Sequence, residues 1–389
     1  MNPLLRAEQA VLGSVLLDPD QLAHLDWLAP DHFDRPVHQA LFAALRRLRA
    51  DGHPGLAADT SVPLSWVTAA VEEAGHHVRG LSAVYAHTLV SACPRPEHAP
   101  AYGRMVLEGA IHRSITAHAI RLHQAARTDA LRGEVEGALH HADVLTGVLD
   151  DLARRWGTEP RPVPPATPLA TAPAALPPVR AGQVAEDERF LLAVLVERPR
   201  AMDEVVDWLR PGDFADPAHG QLYRCLGALH HRGEPIDRIT LVWEAQRRGL
   251  LADGTLSGGQ VAVICDGVGP GSAEWLGEQV IRSSVTRTAV ASARTIRGLA
   301  ENESLSPGHL INHALHTLGP LDDIRTRWRT ANGHSPPSPA PASSSNGPPP
   351  ARVHAALARS TPHPISPSSA RTRSAPGPAV VRSPSRGHS

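Results

Sequence analysis

Twenty-three histidines and 39 carboxylates supply the residue types for metal binding or acid–base catalysis, and several stand side by side. His76-His77, His140-His141 and His230-His231 are adjacent pairs, as are Asp150-Asp151 and Asp322-Asp323. Neighbours on a helix point about 100° apart, so such a pair does not close on one ion. Neither H-E-x-x-H nor a Cys/His zinc spacing occurs. Arg154 and Arg155 follow the first aspartate pair by one helical turn, the spacing of a solvated ion-paired face. Ser257-Gly258-Gly259 and Gly267-Val268-Gly269-Pro270-Gly271 have the glycine content of a phosphate loop. All 38 basic residues are arginine, however, so no P-loop, Schiff-base or kinase-type lysine exists, and both stretches read as loops. The expectation is a protein with no catalytic residues, no cofactor and no metal.

The elements around these residues set the organisation. Residues 157–184 hold eight prolines and no aromatic residue, the composition of an extended, semi-rigid spacer. Residues 329–389 hold thirteen prolines, seven arginines and no acid, which predicts a disordered basic tail of charge +7. The remainder is acidic, at −8. The cysteines Cys93, Cys225 and Cys265 have no C-x-x-C spacing and read as small buried residues of a reducing compartment. No apolar run reaches the ~20 residues of a membrane span, and the amino-terminal segment lacks a basic region and cleavage site. A cytoplasmic location with no membrane contact is expected. Lysine-free, Ala/Arg/Pro-rich usage fits a GC-rich bacterial genome.

Residues 1–156 and 185–328 are copies of one another. Glu8, Val11, Leu12, Val15, Leu16 and Pro19 recur as Glu188, Leu191, Leu192, Leu195, Val196 and Pro199. Trp27-Leu28-x-Pro30-x-x-Phe33-x-x-Pro36-x-His38 recurs from Trp208 to His219, and Leu41, Leu45 and Leu48 match Leu222, Leu226 and Leu229. LDDLARRW at 149–156 returns as LDDIRTRW at 321–328, so Trp156 and Trp328 close the two copies.

Each copy reads as helical, with a first helix whose apolar residues form one stripe and a second ended by Pro30 or Pro211. Pro36 or Pro217 then sits in the first turn of a third helix. Asp216 is its N-cap in copy two, and Asp51-Gly52 stops it in copy one. Long runs at roughly 99–127 and 272–301 follow. Val135, Leu139, Ala142, Leu145, Leu149, Leu152 and Trp156 then recur every ~3.5 residues, the seam of a helix packed lengthwise on another. The predicted fold is all-α: two tandem helical bundles, each ending in a long hairpin. The recurring His38 and His219 are assigned to packing or hydrogen bonding at a helix start.

Glu8-Gln9-Ala10-Val11-Leu12-Gly13, with Leu28-x-Pro30-x-x-Phe33 and His38-x-x-Leu41-Phe42, resembles the N-terminal domain of DnaB-type replicative helicases. The second copy keeps Leu209, Pro211, Phe214, His219, Leu222 and Tyr223, and Gly233-Glu234-Pro235-Ile236-Asp237-x-Ile239-Thr240-Leu241 besides. The resemblance implies a small helical bundle and a helical hairpin through which such domains pair, form the collar of the helicase ring, and meet primase. The family's P-loop motor does not follow the second copy, and a lysine-free chain cannot build its Walker loop.

The resemblance implies three kinds of partner: the replicative helicase, primase, or another hairpin in self-association. The seam residues Val135, Leu139, Ala142, Leu145, Leu149, Leu152 and Trp156 are the expected contact. Pro320, inside the corresponding helix of copy two, predicts a kink that weakens pairing there and makes copy one the better interface. Arg352, Arg359, Arg371, Arg373, Arg382 and Arg386 of the tail offer weak, salt-sensitive contact with nucleic acid. A scaffold or regulator using the collar fold outside replication is the alternative.

Overall fold

The computed structural model describes residues 2–57, 64–157 and 178–333. Among these, every regular element is helical, and no helix is long and apolar enough to cross a membrane. Copy one supplies α1 (Pro3–Leu17), α2 (Pro36–Ala50), α3 (Leu64–Gly75), α4 (Ala83–Ala92), α5 (Ala99–Arg132) and α6 (Glu136–Trp156). Copy two repeats the order with α7 (Pro178–Glu197), α8 (Pro217–His231), α9 (Arg238–Arg247), α10 (Gly258–Cys265), α11 (Ala273–Ala300) and α12 (Pro307–Ala331). Residues 178–184, expected in the spacer, begin α7, and residues 329–331, expected in the tail, end α12.

Short polar residues start these helices as side-chain caps. Asn2 Oδ1 accepts from the Leu4 amide at 2.9 Å, Asp216 from Ala218 at 2.8 Å, and Asp237 from Ile239 at 2.8 Å. Ser257 and Gln260 form a capping box on α10, so Gly258 and Gly259 open a helix rather than sit in a loop. Gly52, at φ +67°, lies just past the end of α2, where a side chain would be strained. The segments after α1 and α7 are 3₁₀ turns, Pro19–Leu25 and Pro199–Glu204, in place of the expected second α-helix. Each begins on a proline and is too short to sustain an α-helical ladder.

Within copy one, α1 packs on α4 and α5 while α2 covers α3; in copy two, α7 packs on α10 and α11 while α8 covers α9. Two close approaches fix the long helices to these bundles. Gly103 of α5 lies against Leu25 and Trp27, and Gly277 of α11, the same position of its copy, lies against Trp208. A Cβ added to Gly277 would come within 2.6 Å of the Trp208 ring. The hairpins α5–α6 and α11–α12 then pack on each other, α5 along α11 and α6 beside α12, so both copies share one core.

Pro320 does not break the second hairpin. α12 runs unbroken through it with Pro320 exposed on its outer face, while Leu318 and Leu321 beside it are buried. The lost N–H bond falls on the solvent side, where water satisfies the freed carbonyl of a helix turn at little cost. The predicted weakening of the second hairpin is therefore corrected: both hairpins close, and both contribute to the pairing.

Candidate protein–protein interface

The interface is built on the long helices. α5 and α11 run antiparallel, which sets His112 of α5 at the end of α11 and brings the last turn of α5 beside Gln279 and Arg282 at the start of α11. Midway between these contacts, Ala119 and Ala293 hold the same position of their copies, and both are buried. Small side chains there let the helices approach closely. The arrangement is a two-fold pairing within one chain, each copy presenting the same helix to the other.

Polar contacts cross the seam. The His112 ring nitrogens lie 2.8 Å and 3.1 Å from the carbonyl oxygens of Ala300 and Leu305, capping the carboxyl end of α11. Asp143 of α6 forms an ion pair with Arg325 of α12, which Asp322 also holds at 2.6 Å. His123, part-way along α5, is held below its ordinary pKa by burial and by Arg294, Arg127 and Arg297. A proton on that ring would join an arginine-rich stretch of the seam.

All seven residues expected to meet a partner lie inside the chain. Val135, Leu145 and Leu149 are fully buried, Ala142 and Leu152 are buried, and Leu139 and Trp156 are packed at the edge of the core. Burying each leucine contributes about 1.5–3 kcal/mol, so this seam serves the fold of the hairpin and its neighbour. Trp156 carries the Arg104 guanidinium 4.5 Å above its ring, and Trp328 carries Arg282 at 5.3 Å. The tail arginines Arg352, Arg359, Arg371, Arg373, Arg382 and Arg386 lie outside the described residues.

The recurring histidines are structural. Glu8, buried in α1, accepts from the Asp34 amide at 2.5 Å and from His38 Nδ1 at 2.6 Å. The Tyr85 hydroxyl closes the other side of that ring at 2.8 Å from Nε2. In copy two, Glu188 accepts from the Ala215 and Asp216 amides and from His219 Nδ1 at 2.9 Å. One buried carboxylate thus ties the start of α2 or α8 to the first helix of its bundle through a charge-assisted network. Arg113 and Arg287, equivalent on α5 and α11, each donate at 2.6 Å to the carbonyl of the turn residue His32 or Asp213.

The aspartate pairs are ion-paired surfaces, with both Arg154 and Arg155 on Asp151, at 3.3 and 2.9 Å. Among the described residues, no group of three or more His, Cys, Asp or Glu is placed to hold a metal ion. Cys225 is buried, and burial pushes its thiol up to about 11. Cys93 and Cys265 are only partly buried, correcting the expectation of three buried thiols: Cys93 lies just beyond α4 and Cys265 is the last residue of α10.

The sequence reading missed His112, Asp143 and Arg325, which join the copies. Single polar residues on a helix carry no periodic signal; only the partner helix gives them meaning. Gly103 and Gly277 were detectable in principle, as matched glycines inside two long helical runs.

Residues 1–108 and 181–259 match the model of the DnaB-like helicase N terminal domain. The chain carries this domain in two copies. The matched segments cover α1–α4 with the start of α5, and α7–α9 with the first residues of α10. The chain is 34% identical over 142 residues to the replicative DNA helicase DnaB of Geobacillus stearothermophilus, covering 36% of this chain and 29% of that protein. It is 41% identical over 64 residues to the replicative DNA helicase DnaB of Mycobacterium leprae (strain TN), covering 16% of this chain and 11% of that protein. The chain thus spans less than a third of the length of these curated DnaB relatives. No solved structure matches. The matched domain is the N-terminal one of DnaB-like helicases, and no helicase ATPase domain is matched beside it.

Proposed function

We propose that this chain is a non-enzymatic assembly protein of DNA replication, a primosome-type component that docks onto the replicative helicase collar or onto primase. The observation that carries the reading is the pairing of α5 with α11 and α6 with α12. The hairpin contact that the DnaB resemblance implies between separate domains is made here inside one chain. Such a chain needs no second copy to complete a collar pair, and it presents that pair as one preorganised unit. Preorganisation lowers the entropic cost of docking. The absence of any lysine removes the catalytic lysine of a P-loop, so the role is architectural rather than motor.

The test is co-purification of the full chain with the replicative helicase and the primase of the same cell. Retention of either in stoichiometric amount supports the reading. Retention of neither, by a protein that is folded and helical by circular dichroism, contradicts it.

A further inference from the structure

The two-fold relation between the copies is broken at the ends of the long helices. α5 and α11 start at equivalent residues, yet α5 runs 34 residues and α11 only 28. At one end of the seam, the extra turn of α5 occupies the space beside α7 and the start of α11 and leaves a cavity of about 40 Å³. At the other end α11 stops at Ala300, and the equivalent space beside α1 and α5 is an open cleft of about 620 Å³. That is within the range of ligand pockets, roughly 300–1,000 Å³.

We propose that this cleft receives a short helix from a partner protein, with apolar and basic side chains on one face. The shape argument is internal, because the same space on the opposite side of the pseudo-dyad is filled by a helical turn. The apolar argument is the floor, where Leu4, Ile120 and Leu305 line the cleft and Ile120 is 36% exposed.

The charge argument is the rim. Glu108, Glu301 and Glu303 line it, at the carboxyl end of α11, where the helix dipole is also negative. Arg113, also on the cleft wall, is held by the His32 carbonyl at 2.6 Å and by Asp34, and Arg297 pairs with Glu301 at 2.7 Å, so Glu108 and Glu303 carry the charge of the rim. On the filled side the position equivalent to Glu108 is Arg282, which shares its cavity with Asp129 of the filling turn. Asp129 itself accepts from the Ala138 amide of α6 at 2.7 Å, so the cation that the occupant brings is matched to Glu108 and Glu303 of this wall.

The proposal goes beyond the replication reading and does not depend on it, since the cleft is formed by the pairing of the copies whatever the partner. The probe is a fluorescently labelled peptide of about 15 residues, the length at which isolated helices become marginally populated, with leucine and arginine on one face. A matched peptide carries glutamate in place of arginine. Fluorescence anisotropy with the full chain is expected to show the arginine peptide binding at least tenfold more tightly. Ile120→Arg and Glu303→Arg, both at exposed positions that fold tolerates, are each expected to weaken it at least tenfold, while Glu72→Arg on α3 leaves it unchanged.

Equal binding of both peptides overturns the proposal, as does equal loss with Glu72→Arg or undiminished binding to the cleft variants. If light scattering shows a wild-type dimer that Ile120→Arg dissociates, the occupant is a second copy, and the proposal is likewise overturned. Failure of the helicase and primase co-purification leaves these outcomes untouched.

Discussion

In copy one, Arg155 stays at the surface on Asp151, 2.9 Å away; in copy two, the equivalent Arg327 turns inward to the buried Asp213. Arg327 also donates to the Trp208 carbonyl at 3.0 Å, and Ser284 donates to Asp213 at 3.1 Å. The difference starts from one residue of the turn before α2 and α8. His32 accepts the Ala29 amide at 3.0 Å, and Asp213, at the same place, accepts the Arg210 amide at 2.7 Å. A neutral ring needs no counter-charge, whereas a buried carboxylate does, so copy two recruits the arginine that copy one leaves in solvent. One helical scaffold thus carries either a neutral or an ionic solution at the same corner.

The sharpest break between the copies should come from that arginine. Arg327→Met removes the ion-pair partner of the buried Asp213, and is expected to cost about 3–5 kcal/mol, whereas Arg155→Met costs less than about 1 kcal/mol. Urea unfolding of the two variants checks this, and similar losses in both would break the comparison. His112→Ala, removing the ring that caps α11 from the other copy, is expected to cost about 1–3 kcal/mol. Its counterpart Thr286→Ala, whose hydroxyl bonds only within α11, costs no more than about 1 kcal/mol.

A smaller difference lies at the paired histidines. Tyr85 seals His38 in copy one, but the matching position of copy two is Gln260, turned to Ser257 at 2.8 Å, and a cavity of about 270 Å³ lies beside His219. Gln260→Tyr is expected to fill that space and stabilise copy two by about 0.5–2 kcal/mol, as cavity filling commonly does. A fall in the unfolding midpoint would show that the cavity is not the site of the missing ring.

The smallest effect is acid sensitivity. Burial first, then Arg155 and Arg113, hold His32 below its ordinary pKa against the opposing pull of Asp31. The unfolded chain therefore binds a proton that the folded one refuses, and stability falls as pH drops below about 6.5. Copy two has no histidine at this place, so an effect of His32 belongs to copy one. His32→Asn keeps an acceptor for the Ala29 amide and should flatten the decline between about pH 6.5 and 5. An unchanged slope would place the sensitivity elsewhere, with His123 the next candidate.

The duplicated helices were legible in the sequence because their signals are local and doubled. Apolar stripes, the prolines at 36 and 217 and the Asp216 cap each act within one turn of helix. The seam from Val135 to Trp156 was legible as a buried stripe, but not what buries it. That depends on α5 and α12, which lie outside the stripe itself, so whether the hairpin that covers it belongs to the same chain stayed open. The inward turn of Arg327 was hidden for the same reason: LDDLARRW and LDDIRTRW carry the same net charge and an arginine at this place, and the exchange of His32 for Asp213 that turns Arg327 inward lies far away in the chain. Pro320 misled because a proline's cost depends on which face of the helix it occupies.

The central claim is that the two copies hold each other through α5–α11 and α6–α12, not through the segment that joins them. A protease site placed within residues 158–177 of the full chain allows the folded protein to be cut between its copies. Size-exclusion chromatography with light scattering at low micromolar concentration then reads the result. The account predicts that the two fragments co-elute as one particle with the mass of the uncut chain. Elution as two separate, folded species would contradict it.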